Sequence, residues 1–162
     1  MTSVSFCKEQ AGFYLLKRPQ APSSQGTINS HISYETILDT IEADPFASQW
    51  MVAAVKKREG NLYADRVSIG RATNCDIVLR VPFISKVQAH ILCTPDGTYS
   101  VRAHSTASPT LLNGRRIDAN SVSVLRVGDS LALGSMSFEF TDAQRLYEVL
   151  GREALRRNSV RA

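Results

Sequence analysis

The chain has 162 residues, 43% hydrophobic and 21% charged, which suits one folded core with flanking elements, excludes a disordered chain and would cramp a second full domain. Nineteen Lys and Arg against 15 Asp and Glu give a formal net charge of +4, a mild bias toward anionic partners. The basic residues are spread along the chain rather than gathered on one face, so solvated surface charge is preferred over nucleic-acid binding.

Residues 1–48 are expected to form an amino-terminal extension. A short apolar patch, Phe13 to Leu16, is followed by Lys17-Arg18-Pro19 and by the turn-rich run Gln20 to Ser30, which reads as a linker. Tyr34, Ile37, Leu38 and Ile41 then fall on one helical face, with Glu35 suited to a first turn and Asp44-Pro45 as a stop. This predicts a short amphipathic helix whose stripe packs on the main domain.

From residue 49 to 141 the texture changes to short β-branched or apolar runs, each closed by a turn signal. The strand candidates are Trp50–Lys56, Arg66–Ile69, Cys75–Leu79, Gln88–Cys93, Thr98–Arg102, Pro109–Leu112, Arg115–Ile117, Val122–Val127, Ser130–Leu133 and Met136–Phe140. Pro95-Asp96-Gly97 has the order a tight turn needs, Asn113-Gly114 is a strong hairpin signal, and Gly128-Asp129 and Gly134-Ser135 close two more hairpins. In the last strand Met136, Phe138 and Phe140 face one way and Ser137 and Glu139 the other, as in a half-buried antiparallel strand. The fold class read from this pattern is all-β, a two-sheet antiparallel β-sandwich with short flanking helices at both ends.

Residues 142–162 are read as a helix and a basic tail. Thr141-Asp142-Ala143-Gln144 reads as a capping box, and Ala143, Leu146, Tyr147, Leu150 and Ala154 continue at helical spacing. Arg145, Arg152, Arg156, Arg157 and Arg161 are taken as solvated charge near a helix carboxyl end. The stretch Arg156-Arg157-Asn158-Ser159-Val160 resembles a basophilic kinase site, although a plain basic terminus is preferred.

Cys7, Cys75 and Cys93 are odd in number and lack C-x-x-C spacing, which suggests neither a disulfide framework nor a zinc site. Met1 to Gln10 has no secretory pattern, and no apolar run approaches the roughly 18 residues of a membrane span. A cytoplasmic protein without membrane contact is expected.

Nucleophile-elbow, zinc-protease, P-loop and dinucleotide fingerprints do not occur, so no enzyme, cofactor or metal is expected. His90 and Cys93 are oddly spaced on one predicted strand and face opposite ways, while His31 and His104 lie in predicted loops without a paired nucleophile. What remains is a set of groups at strand ends. Arg71, Ser85 and Lys86 offer a guanidinium, a hydroxyl and an ammonium, a combination suited to a phosphate dianion if the loops converge.

The ordered string Gly70-Arg71, then Cys75-Asp76-Ile77-Val78-Leu79, then Ile84-Ser85-Lys86 with Gln88-Ala89-His90-Ile91, then Leu112-Asn113-Gly114-Arg115-Arg116-Ile117 is followed by Leu125 through Gly134 and by Phe138 and Phe140. Together these resemble the forkhead-associated (FHA) domain over about Trp50 to Phe140. The resemblance implies an FHA/SMAD-like sandwich whose end loops bind phosphothreonine in a partner, with a Ser/Thr kinase or its substrate as candidate. By matching position it implies Arg71 as the main phosphate-binding arginine, Ser85 as the phosphate-contacting serine and Lys86 as a further ligand-reaching residue. Gln88 stands where the family has a bracing histidine, and it and Asn113 are the expected loop supports. Aligning back from Asn113-Gly114 puts Ser108 at the family's ligand-binding asparagine and Pro109 at its glycine, so Thr106 and Ser108 become the candidate replacement donors. The competing readings are a phospho-independent scaffold of the same fold and, less favoured, a nucleic-acid binder.

Overall fold

The computed structural model describes residues 12–20, 44–61, 63, 65–104 and 107–161. Among these, eleven strands form two sheets and one helix follows them. The first sheet has the order β2-β1-β11-β10-β7-β8, with β1 Phe13–Lys17, β2 Met51–Ala54, β7 Thr110–Leu112, β8 Arg115–Arg116, β10 Ser130–Leu133 and β11 Met136–Asp142. The second has the order β4-β3-β5-β6-β9, with β3 Arg66–Gly70, β4 Ile77–Val78, β5 Ala89–Cys93, β6 Tyr99–Ala103 and β9 Val122–Leu125.

Alternation along the strands produces one core shared by both sheets. Leu131, Leu133, Met136, Phe138 and Phe140 from the first sheet join Ile69, Ala89, Ile91, Val101 and Ala103 from the second, all buried. The side chains between them point outward, as period-two geometry requires. Every pairing is antiparallel except one: β3 and β4 run parallel, with Ile69 opposite Ile77 and Gly70 opposite Val78. The expectation of a purely antiparallel arrangement is corrected at that edge. The two-residue β4 needs only a short connection because it lies beside the end of β3, where the Leu79 amide also donates to the Gly70 carbonyl at 2.8 Å.

The apolar patch at Phe13 to Leu16 is not the prelude to a linker but the start of β1, which pairs with β11 on one side and β2 on the other. Both faces of β1 are covered: Leu15 enters the main core, while Tyr14 and Leu16 pack under Ala143 and Leu146 of the terminal helix. A strand buried on both faces shows no alternation, so its sequence carries no strand period to read. Even Lys17 is fully buried. Its ammonium donates to the carbonyls of Phe46 at 2.6 Å and Gln49 at 3.3 Å and lies 3.1 Å from the Asp44 carboxylate.

The helix α1 spans Ala143–Val160, 18 residues, so it is longer than the short element expected. Its N-cap is Asp142, whose carboxylate accepts from the Arg145 amide at 2.8 Å, one residue later than the capping box placed it. Thr141 is fully buried at the end of β11 instead. The helix expected around Tyr34 to Ile41 lies outside the described residues. No helix among the described residues is long and apolar enough to cross a membrane.

Candidate functional site

Three segments meet at one end of the second sheet: residues 71–76 after β3, residues 79–88 before β5, and residues 104 and 107–109 after β6. Gly70 makes the first contact possible. A Cβ there would stand 2.3 Å from the Lys86 carbonyl oxygen, so only glycine lets the end of β3 lie against the second loop. Across that contact the Arg71 amide donates to the Ser85 carbonyl at 2.9 Å and the Ala72 amide to the Lys86 carbonyl at 3.1 Å. The Arg71 guanidinium Nε donates to the Ile84 carbonyl at 3.0 Å, which aims the side chain along the second loop. None of the ion pairs among the described residues involves Arg71. Its side chain and that of Lys86 are exposed and Ser85 is half-buried.

Gln88 holds the loops together. It is fully buried, and its Oε1 accepts from the Ser85 amide at 3.1 Å while Nε2 donates to the Ser108 carbonyl at 3.0 Å and the Thr110 hydroxyl at 2.9 Å. Its backbone joins the same junction, the amide donating to Ile69 at 2.8 Å and the carbonyl accepting from His104 at 3.0 Å. A carboxamide can act as donor and acceptor at once without carrying charge, so the second loop is tied to the third and to β7 at no cost of burying an ion.

The structure thus brings Arg71, Ser85, Lys86 and Gln88 together. Thr106 lies outside the described residues. Ser108 differs from expectation: it is buried, and its hydroxyl donates inward to the Phe83 carbonyl. It clamps one loop to another rather than presenting a donor to a ligand. Asn113 also differs. It sits at the other end of β7 with φ 51°, where its carboxamide donates to Asp129 at 3.0 Å and accepts from the Ser130 amide at 2.9 Å. It supports the β7–β8 turn and the start of β10, away from the Arg71 loops.

Asp76 is a support that the sequence reading passed over. Its carboxylate accepts from Lys57 Nζ at 2.8 Å, the Arg58 amide at 2.8 Å, Asn61 Nδ2 at 2.7 Å, and the Ser68 amide and hydroxyl at 2.8 and 3.0 Å. Burial opposes its ionisation, but the Lys57 ammonium and the surrounding donors outweigh burial and hold the carboxyl well below the usual carboxylate range. The available signal was a lone aspartate inside an apolar run, since a charge buried there must find donors. On β5, burial first and then the nearby His104, Arg66, Arg102 and Lys57 push His90 down, favouring its neutral form. Among the described residues no group of three or more His, Cys, Asp or Glu could hold a metal.

The family model of the FHA domain matches residues 67–134, the stretch that contains all three loops. That match covers less than half of the 162-residue chain, and over it the chain resembles an FHA domain. It is 35% identical over 83 residues to the ABC transporter ATP-binding/permease protein Rv1747 of Mycobacterium tuberculosis; the match covers 51% of this chain and 9% of that relative's length. The fold is similar to that of the FHA domain of the CT664 protein from Chlamydia trachomatis, with TM-score 0.50 and 18% identity over 81% of this chain and 98% of the other. An engineered FHA domain with a Myc-pTBD peptide gives TM-score 0.51 and 18% identity over 86% and 97% of the two chains. At that identity the likeness speaks for the fold.

Proposed function

We propose that this chain is a non-catalytic β-sandwich module that binds a phosphothreonine-containing segment of a partner protein, in a Ser/Thr-kinase pathway, inside a reducing, cytoplasmic compartment. FHA domains generally bind phosphothreonine peptides. The observation that carries the reading for this chain is the junction itself: the backbone of Arg71 is bonded to Ser85, its guanidinium lies along Ile84, and no carboxylate among the described residues pairs with it. A phosphate dianion offers several strong acceptors to a planar guanidinium, a hydroxyl and an ammonium held within one loop cluster. Arg71 is the anchor, Ser85 the hydroxyl donor and Lys86 the mobile point charge. Cys75 and Cys93 are both free thiols, in keeping with a reducing compartment.

The inward hydroxyl of Ser108 favours a second reading, because one expected peptide contact is used inside the protein. On that reading the fold serves as a phospho-independent scaffold. A degenerate phosphothreonine peptide library screened against wild type and Arg71→Ala separates the two. Phosphate binding predicts capture of phosphorylated but not unphosphorylated peptides, and loss of that preference in the variant. Equal capture of both forms by wild type supports the scaffold and overturns the proposal.

A further inference from the structure

Two adjoining hollows, of ≈ 480 and ≈ 470 Å³, flank the half-buried Trp50 along the exposed side of α1. Arg18, Arg145, Arg152 and Arg156 line the first, and Arg157 and Arg161 line the second. Against these six guanidiniums stand two lining carboxylates, Glu148 and Glu153, so the groove's excess of four positive charges equals the formal net charge of the entire chain. Counting Glu139, which Arg18 and Arg145 share, still leaves three. Six of the chain's 19 Lys and Arg thus share one groove, although they look dispersed in the sequence. Its members come from two ends of the chain that only folding brings together.

The pairing within the groove is incomplete. Glu139 is shared between two arginines, and Glu153 between Arg156 and Arg157, both at 2.9 Å. Each shared carboxylate leaves one positive charge uncompensated, and Arg152 and Arg161 enter no ion pair among the described residues. The floor is apolar: Trp50 and Val149 pack on the small cluster beneath α1, and Leu150 lines the second hollow. The Arg18 guanidinium lies 6.0 Å from the Trp50 ring centroid, joining the cationic rim to that floor.

We propose that this groove is a second binding site, which takes an acidic peptide segment of a protein partner with an apolar side chain seated against Trp50. Charge complementarity selects the acid, and the indole and aliphatic floor select the anchor. A nucleic-acid backbone fits less well, because Glu148 and Glu153 intrude on the cationic track and a single indole offers no series of stacking surfaces. The site does not depend on the Arg71 loops, so the two sites can serve one partner or two.

Trp50 is the sole tryptophan, so its emission reports occupancy of the full chain directly. The probes are a short synthetic peptide of glutamates around one leucine, its lysine counterpart and a single-stranded oligothymidylate. The acidic peptide is expected to shift the emission saturably and less strongly as salt is raised. Arg152→Ala should weaken it by about five-fold, the effect of one exposed charge contact, while Arg71→Ala leaves it unchanged. The proposal is overturned by no response to the acidic peptide, by an equal response to the lysine peptide, by tighter binding of the oligothymidylate, or by a response that Arg71→Ala abolishes or that Arg152→Ala and Arg18→Ala both leave intact.

Discussion

The loop cluster around Gln88 and the groove along α1 solve the placing of arginines in opposite ways. At the loops a buried neutral carboxamide and several backbone bonds fix the frame, and the cations, Arg71 and Lys86, are left facing outward. Along α1 the arginines hold one another through shared carboxylates near the surface, without a buried brace. The first arrangement favours a fixed geometry suited to one compact dianion. The second favours charge density without fixed geometry, since exposed ion pairs are weak and rearrange readily.

That contrast breaks first at Gln88. Replacing Gln88 with Ala removes three side-chain hydrogen bonds from a buried site and should lower the unfolding free energy by about 3 kcal/mol, measured by urea titration. Peptide affinity should fall with it, because the frame is lost. Arg71→Ala should do the converse: calorimetric titration should show phosphothreonine-peptide affinity reduced about 100-fold, with the urea midpoint nearly unmoved.

Asp76 sharpens the comparison through pH. Its folded-state pKa lies below its unfolded value, so the stability it contributes is complete above the ordinary range and is lost as pH falls below about 4 toward the folded value. Asp76→Asn should cost about 2 kcal/mol at neutral pH and flatten the acid limb of the stability profile. Ser108→Ala has the smallest effect: about 1 kcal/mol of stability for the lost clamp on Phe83, with peptide affinity unchanged. A large loss of affinity instead would return Ser108 to the ligand.

Much of the β architecture was legible because its turns carry chemistry. Pro95-Asp96-Gly97, Asn113-Gly114, Gly128-Asp129 and Gly134 punctuate runs whose alternation sets one face inward, and β5, β6, β10 and β11 follow. β1 was not legible, since burial on both faces erases alternation and its final Lys17 looks like a boundary until Asp44 and two carbonyls surround it. The phosphate-binding candidates could be named from motif order, but their supports could not. Whether Ser108 turns inward or Gln88 reaches Ser108 and Thr110 depends on contacts between residues 20 to 25 apart. The α1 groove was hidden for a related reason, because Arg18 and Arg145 are distant in the chain and meet only at Glu139.

The proposed function requires Arg71, Ser85 and Lys86 to hold a phosphate dianion at one loop junction. Amide chemical-shift mapping of the full chain during titration with a phosphothreonine peptide and its unphosphorylated twin tests it most directly. The phosphorylated peptide alone should move the amides of Arg71, Ala72, Ser85 and Lys86 while those along β7–β8 stay in place. Identical shifts with both peptides, or shifts that leave the residues 71–72 and 85–86 untouched, would contradict it.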